Sequence, residues 1–232
     1  LFDWEVFDEY VGSIAAQQQA ELMRFLQLLQ AENQKYNLTT IVETEDIFYK
    51  HFLDSILFAK ELQLNNQKIL DIGTGAGFPG IVIKILFPQT QVYLIEANNK
   101  KINFLKLVIK ELNLKNIIPV NQRAEIFSVQ HKEEFDIVIS RAMAPLNVLL
   151  EVGVQALKVN GTFICLKAKN VGVEILDLNG KESDIALKLV VEQKLFVDNI
   201  GERVNLFFNK IKPTNSIYPR QYSQIKKKPL GK

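Results

Sequence analysis

Residues Asp71 to Gly80 read DIGTGAGFPG and place four glycines, Gly73, Gly75, Gly77 and Gly80, beside an acid. Glycine takes positive φ freely and lacks the Cβ that would hold a ligand away from the main chain. A tight turn alone needs no such density, so a small molecule is expected here at close range. Gly75, Gly77 and Gly80 spell G-x-G-x-x-G, the pattern that seats a dinucleotide pyrophosphate on a helix N-terminus. Glu96, 25 positions after Asp71, suits a carboxylate accepting from both hydroxyls of a ribose, a device shared with NAD-binding folds. Other reactive side chains are sparse. Cys165 stands alone in TFICLKA, where a buried, inert thiol is the expected reading. His51 and His131 have no Cys or second His at ligand spacing, so no metal site is expected.

The elements that must position these residues fall into two regimes. SIAAQQQAELMRFLQLLQAENQKY, residues 13–36, carries Ile14, Leu22, Phe25, Leu26 and Leu29 on one helical face, with Ser13 as the expected N-cap. DIFYKHFLDSILFAKEL, residues 46–62, repeats the helical spacing. From Lys68 the pattern changes to short β-rich runs, KILDIG, VYLIEA, IIPVNQ, FDIVIS and GTFICLKA, most of them separated by helical segments. This alternation predicts an α/β fold with a mostly parallel, doubly wound sheet. IALKLVVEQKLFV and RVNLFFNKI then predict a hairpin at the end of that sheet. A helical extension over residues 1–64 is expected to pack on a core domain over 65–232 that ends in a basic tail. The glycine loop then joins the first strand to a helix starting near Phe78, with Pro79 in its first turn. Ligands of such sheets sit at the carboxyl ends of the strands.

With 232 residues, 47% hydrophobic and 23% charged, the chain suits one globular domain with an extension. No apolar run reaches the roughly 18–20 residues of a membrane span. The opening LFDWEVFDEYVG is acidic and does not read as a signal peptide, and a lone cysteine fits a reducing compartment, so a cytoplasmic location is expected. The net charge of +2 hides an asymmetry. Asp3, Glu5, Asp8 and Glu9 stand at the start without a base; Lys210, Lys212, Arg220, Lys226, Lys227, Lys228 and Lys232 stand at the end without an acid. A second basic cluster, Lys100, Lys101, Lys106 and Lys110, follows the glycine loop. The pattern fits a polyanionic partner, or simply a solvated tail.

Read with Asp71, the loop becomes D-x-G-x-G-x-G and resembles the first motif of the S-adenosylmethionine-dependent methyltransferases. That cofactor has no phosphate; its cationic sulfonium and amino groups favour carboxylate or carbonyl oxygen, which Asp71 is placed to supply. NLTT (37–40), HFLDS (51–55), EANNKKINFL, RAE, FDIVISRAMAPL and the terminal YPR…KKKPL extend the likeness from about Ser13 to Leu230. Together they resemble the glucose-inhibited division protein B family, bacterial enzymes that methylate N7 of a guanine in small-subunit (16S) ribosomal RNA. Three positions depart from the family pattern: Glu32 replaces a frequent Trp, Ala168 a Gly after the fifth-strand Lys, and Ser223 a Gly after YPR.

The resemblance implies a Rossmann-like methyltransferase fold in which Gly73 and the backbone at Phe78 contact S-adenosylmethionine, and Gly75 and Gly77 permit the approach. It implies Glu96 on the ribose and Ala124 and Glu125 beside the adenine. Arg141 is expected near cofactor and acceptor, and Arg123 and Arg141 are the candidates for a catalytic contribution. Lys100, Arg123, Lys167, Arg220, Lys226, Lys227 and Lys228 are the candidates for gripping RNA; an ion pair at Arg123 and a solvated helix start at Lys100 are the plainer alternatives. Guanine N7 carries a lone pair and no proton, so no general base is expected and rate comes from alignment. Enzymes that methylate exocyclic amines tend to carry Asn/Asp-Pro-Pro-aromatic after the fourth strand, where Ser140-Arg141-Ala142-Met143 stands here. The rival readings are a non-catalytic RNA-binding or assembly protein on the same fold and an NAD-dependent oxidoreductase. A monomer is expected.

Overall fold

Strands with apolar side chains on both faces need a cover on each, and that requirement sets the layers here. The computed structural model describes residues 2–169 and 171–232. Three helices lead in, α1 (Asp8–Val11), α2 (Ala16–Tyr36) and α3 (Thr44–Ile47). Then β1 (Lys68–Ile72), α4 (Gly80–Leu86), β2 (Gln91–Glu96), α5 (Asn99–Glu111), β3 (Ile117–Asn121), α6 (Ala124–Gln130) and β4 (Phe135–Arg141) alternate. They are followed by α7 (Leu146–Gly153), β5 (Leu157–Ala168), α8 (Val171–Leu178), β6 (Leu187–Val197), β7 (Gly201–Lys210) and α9 (Tyr222–Lys227).

The sheet order is β3-β2-β1-β4-β5-β7-β6. Strands β1 to β5 run parallel, and β7 lies antiparallel between β5 and β6. The expected hairpin forms, but its second strand is the one that joins β5. Strand order reverses between β1 and β4, which pair from Ile69↔Ile137 to Asp71↔Ile139 and open a crevice at their carboxyl ends. Alternate residues feed two apolar clusters. Ile69, Val92, Leu94, Ile137 and Ile139 face α4, α5 and the N-terminal helices, with Phe25 and Phe52 in the same cluster. Leu70, Ile72, Ile95, Val138 and Phe163 face the other way, against residues of α6, α7 and α9.

Four local expectations change. Ser13 does not cap α2; the helix starts at Ala16, and the Gln18 side chain accepts from the Ala15 amide at 3.1 Å. The second predicted helix is broken: α3 ends at Ile47, Phe48–Leu53 winds as a π-helix, and a 3₁₀ turn covers Leu57–Lys60. The wider turn keeps Phe48 and Phe52 in the core while His51 and Asp54 reach the end of β4. Pro79 precedes α4, after a cis Phe78–Pro79 peptide, and is not within its first turn. Lys210 leaves the basic tail altogether. It ends β7 fully buried, its ammonium donating to the Val154 and Leu157 carbonyls at 3.2 and 2.7 Å and pairing with Glu133. Among the described residues no helix is long and apolar enough to cross a membrane.

Candidate active site

The glycine loop is drawn over the end of β2, where the Gly73 and Thr74 amides both donate to the Ile95 carbonyl at 2.9 and 3.1 Å. Gly73 and Gly75 have φ of +68° and +61°, a region that strains L side chains. Gly80 serves a different need, space: a Cβ there would overlap Leu94 and lie 2.7 Å from Asp71 Oδ2.

Asp71 does not face the crevice. It is fully buried, and its Oδ2 accepts from the Gly80 amide at 2.8 Å. The expected role as a ligand for cationic groups is therefore replaced by a structural one, holding the start of α4 against β1. Burial pushes its carboxyl up to about 7, against the opposing pull of the Thr74 hydroxyl and the Gly80 amide. The same bond disfavours a dinucleotide, because the amide that a pyrophosphate would use already belongs to an acid of the protein.

Gly73, Gly75, Glu96, Arg123, Ala124 and Glu125 come together around a cavity of about 320 Å³. Glu96 is aimed by two backbone donors, the Gly75 amide on Oε2 at 3.1 Å and the Asn98 amide on Oε1 at 2.8 Å. Each carboxylate oxygen keeps a lone pair for another donor, which suits the paired hydroxyls of a ribose. Ala124 and Glu125 open α6, where helix geometry leaves their amides without intrahelical acceptors. This set fits a nucleoside whose cationic end lies off the glycine loop. Gly77 and Phe78 stand outside the cavity, their amides both given to the Thr74 carbonyl at 2.9 Å. Lys101, Gln122 and Tyr222 line it without having been singled out for that in the sequence. Lys101 stood in a basic cluster, but only the winding of α5 shows that it, and not Lys100, turns inward.

A second cavity, of about 530 Å³, shares Ala142 and Met143 with the first. Ala142 holds φ of +52°, and the Met143 side chain lies over Gly73, where a Cβ would meet its Cγ at 2.6 Å. Arg141 lines this second cavity and not the first. Its Nη1 donates to the Lys50 carbonyl at 3.0 Å and to Asp54 at 3.2 Å, its Nη2 donates to His51 Nδ1 at 2.8 Å, and its guanidinium sits over Phe78. Asp54 is shared with Arg203, whose Nε donates at 2.6 Å. Because a guanidinium only donates, His51 Nδ1 is the acceptor and Nε2 carries the proton toward Thr39 Oγ1, 2.9 Å away. Burial, then the Arg141 charge, lowers the His51 imidazole to about 3, so it is neutral near pH 7. No sequence spacing joined His51, Asp54 and Arg203 to Arg141; the fold does.

Several expected RNA contacts are occupied within the protein. Lys167 is largely buried and donates to the Ala144 carbonyl at 2.8 Å and to Glu174 at 2.7 Å. Arg220 grips the buried Glu151 with Nε and Nη2 at 2.8 and 2.6 Å and with its own amide at 2.9 Å. Arg123 pairs with Glu125 at 2.5 Å, the plainer alternative for it, although it remains half-exposed. Lys100, Lys226, Lys227 and Lys228 are exposed and form no ion pair among the described residues. Cys165 is buried in β5, and burial pushes its thiol up to about 12. Among the described residues no cluster of His, Cys, Asp or Glu could hold a metal ion.

A nucleoside-sized cavity over a glycine loop, at the carboxyl ends of a sheet in this strand order, defines a Rossmann-like methyltransferase fold. A solved SAM dependent methyltransferase from Aquifex aeolicus has the same fold, with a TM-score of 0.55 and 14% identity over 73% of this chain and 94% of that one. The sequence narrows the class. A family model for the rRNA small subunit methyltransferase G matches residues 18–203. The ribosomal RNA small subunit methyltransferase G of Mycoplasma capricolum is 51% identical over 226 residues, covering 97% of each chain. That of Mesoplasma florum is 47% identical, covering 97% of this chain and 95% of its own. The chain belongs to the rRNA small subunit methyltransferase G family.

Proposed function

We propose that the chain transfers a methyl group from S-adenosylmethionine to N7 of a guanine in small-subunit ribosomal RNA. The observation that carries this reading is the pair of cavities meeting at Ala142 and Met143, one suited to a nucleoside and the other built around the Arg141–His51–Asp54 network. When bound, the cofactor supplies an electrophilic methyl on a sulfonium. Gly73 and Gly75 let the main chain come close to it, Glu96 accepts from the ribose hydroxyls, and the first amides of α6 stand ready for the adenine edge. On the acceptor side His51 and Asp54, the titratable groups packed on Arg141, are both engaged. Both His51 nitrogens are hydrogen-bonded, and both Asp54 oxygens are held by arginines. Such a cavity suits an acceptor atom with a lone pair and no proton to lose, as at N7. The residues then act by fixing nucleophile and methyl in line, the proximity effect.

The name of the relatives supports ribosomal RNA as substrate, and the N7 position rests on the family resemblance together with the engagement of His51 and Asp54. Residues 1–64 serve as an extension that contributes His51 and Asp54 to the acceptor cavity, and 65–232 as the methyltransferase domain. Lys100, Lys226, Lys227 and Lys228 meet RNA phosphates, with affinity that falls as salt rises. Guanine N7 is closed to side chains in the deep groove of A-form RNA, so the target lies in a loop or on an assembling subunit. The chain acts as a monomer in the cytoplasm. Labelled methyl from S-adenosylmethionine, offered to unmethylated small subunits and to their naked RNA, should appear as 7-methylguanosine. Label in another nucleoside, or no label when cofactor binding is intact, would overturn the assignment of the acceptor.

A further inference from the structure

Among the described residues, all that line the 320 Å³ cavity lie between Gly73 and Met143 except Tyr222, which arrives from the C-terminal segment. That segment is fastened on both sides of the tyrosine. Before it, Arg220 holds the buried Glu151 through three hydrogen bonds of 2.6–2.9 Å. After it, Ile225 and Leu230 are buried in the apolar cluster that includes residues of α7 and α8. Tyr222 opens α9, and its half-buried ring lies over Arg123, with the guanidinium carbon 4.2 Å from the ring centroid. Arg123 is itself fixed by Glu125, and its neighbour Ala124 lines the same cavity. One face of the ring is thus held by a cation, and the backbone on either side is pinned.

We propose that Tyr222 is a wall of the cofactor site at its adenine end, which makes the C-terminal segment part of that site. This rests on the reading of the cavity as the place of S-adenosylmethionine. A purine stacks readily on an aromatic ring, and a ring already immobilised loses little entropy when the ligand arrives. The arrangement also gives Arg123 a role apart from RNA: paired with Glu125 and set against Tyr222, it positions the ring.

Calorimetric titration with S-adenosylhomocysteine, the product that cannot turn over, tests the assignment on the full chain. Tyr222→Phe keeps the ring and should bind within about twofold of the parent. Tyr222→Ala should bind about tenfold more weakly, a loss typical of base–aromatic stacking. If Tyr222→Ala fails to give a cooperative melt, Tyr222→Leu, which keeps apolar bulk without the ring, makes the same comparison. Equal affinity for parent and a folded ring-less variant overturns the role of Tyr222 alone. A parent chain that does not bind S-adenosylhomocysteine at all sinks the reading of the cavity, and this inference with it.

Discussion

Burial moves two side chains of the site in opposite directions. Asp71, raised from 3.8 to about 7, keeps a proton in the native chain that the unfolded chain has lost between those values, so its contribution to stability falls as pH rises through them. His51, lowered from 6.5 to about 3, stays neutral in the native chain while the unfolded chain takes up a proton, so its contribution falls as pH drops through that range. The two oppose each other between about pH 4 and 6.5. Asp71→Asn keeps an oxygen for the Gly80 amide but removes one of the opposing groups. On acidification from pH 6.5 to 4.5 the variant should lose more stability than the parent, by on the order of 1 kcal/mol per pH unit. Urea midpoints across that range check this; parallel curves would mean that Asp71 does not titrate there.

At the scale of elements, the end of β4 and the π-helix after α3 are joined by Arg141. Removing its guanidinium leaves His51 Nδ1 and the Lys50 carbonyl without their donor and halves the pairing of Asp54. Arg141→Ala is expected to cost about 3–5 kcal/mol, the usual penalty for breaking a buried ion pair. Because Arg141 lines the second cavity and not the first, affinity for S-adenosylhomocysteine should stay within a few fold. Unchanged stability with a tenfold loss of cofactor affinity would instead put Arg141 on the cofactor. Strands β1 to β5 were legible because each is a short β-rich run bounded by turn signals. The break within residues 46–62 was not, because apolar spacing alone cannot tell a π turn from an α turn. What opens it is the packing of Phe48 and Phe52 on one side and the reach of His51 and Asp54 to a strand about 90 residues away.

Over the whole molecule, the C-terminal basic stretch divides into structural and free charges. Arg220→Ala should destabilise the fold by about 3–5 kcal/mol, since it strands the buried Glu151 carboxylate. Replacing Lys226, Lys227 and Lys228 with Ala should leave the melting temperature and cofactor affinity near the parent values. RNA binding should weaken, and the slope of log affinity against log salt should become shallower by about 0.7 for each phosphate of single-stranded RNA that is no longer neutralised. Denaturation and filter binding over a salt series separate the two roles; a stable Arg220→Ala variant with a reduced salt slope would reverse them.

By itself the sequence determined the alternation of strands and helices, the place of the glycine loop and the acid at the end of β2. These depend on near-neighbour periodicity, on glycine's tolerance of positive φ and on spacing within one βαβ unit. Its motifs also sufficed for the family. Only the tertiary structure decided which charged residues remain free. Lys167, Lys210 and Arg220 look alike in a string of letters, yet each ends against a carbonyl or carboxylate supplied by a distant element. The same holds for Asp71, turned inward to Gly80, and for Tyr222, brought to the cavity from the far end of the chain. Partners distant in sequence leave no period to read, because their meeting depends on how the whole sheet and its covering helices pack.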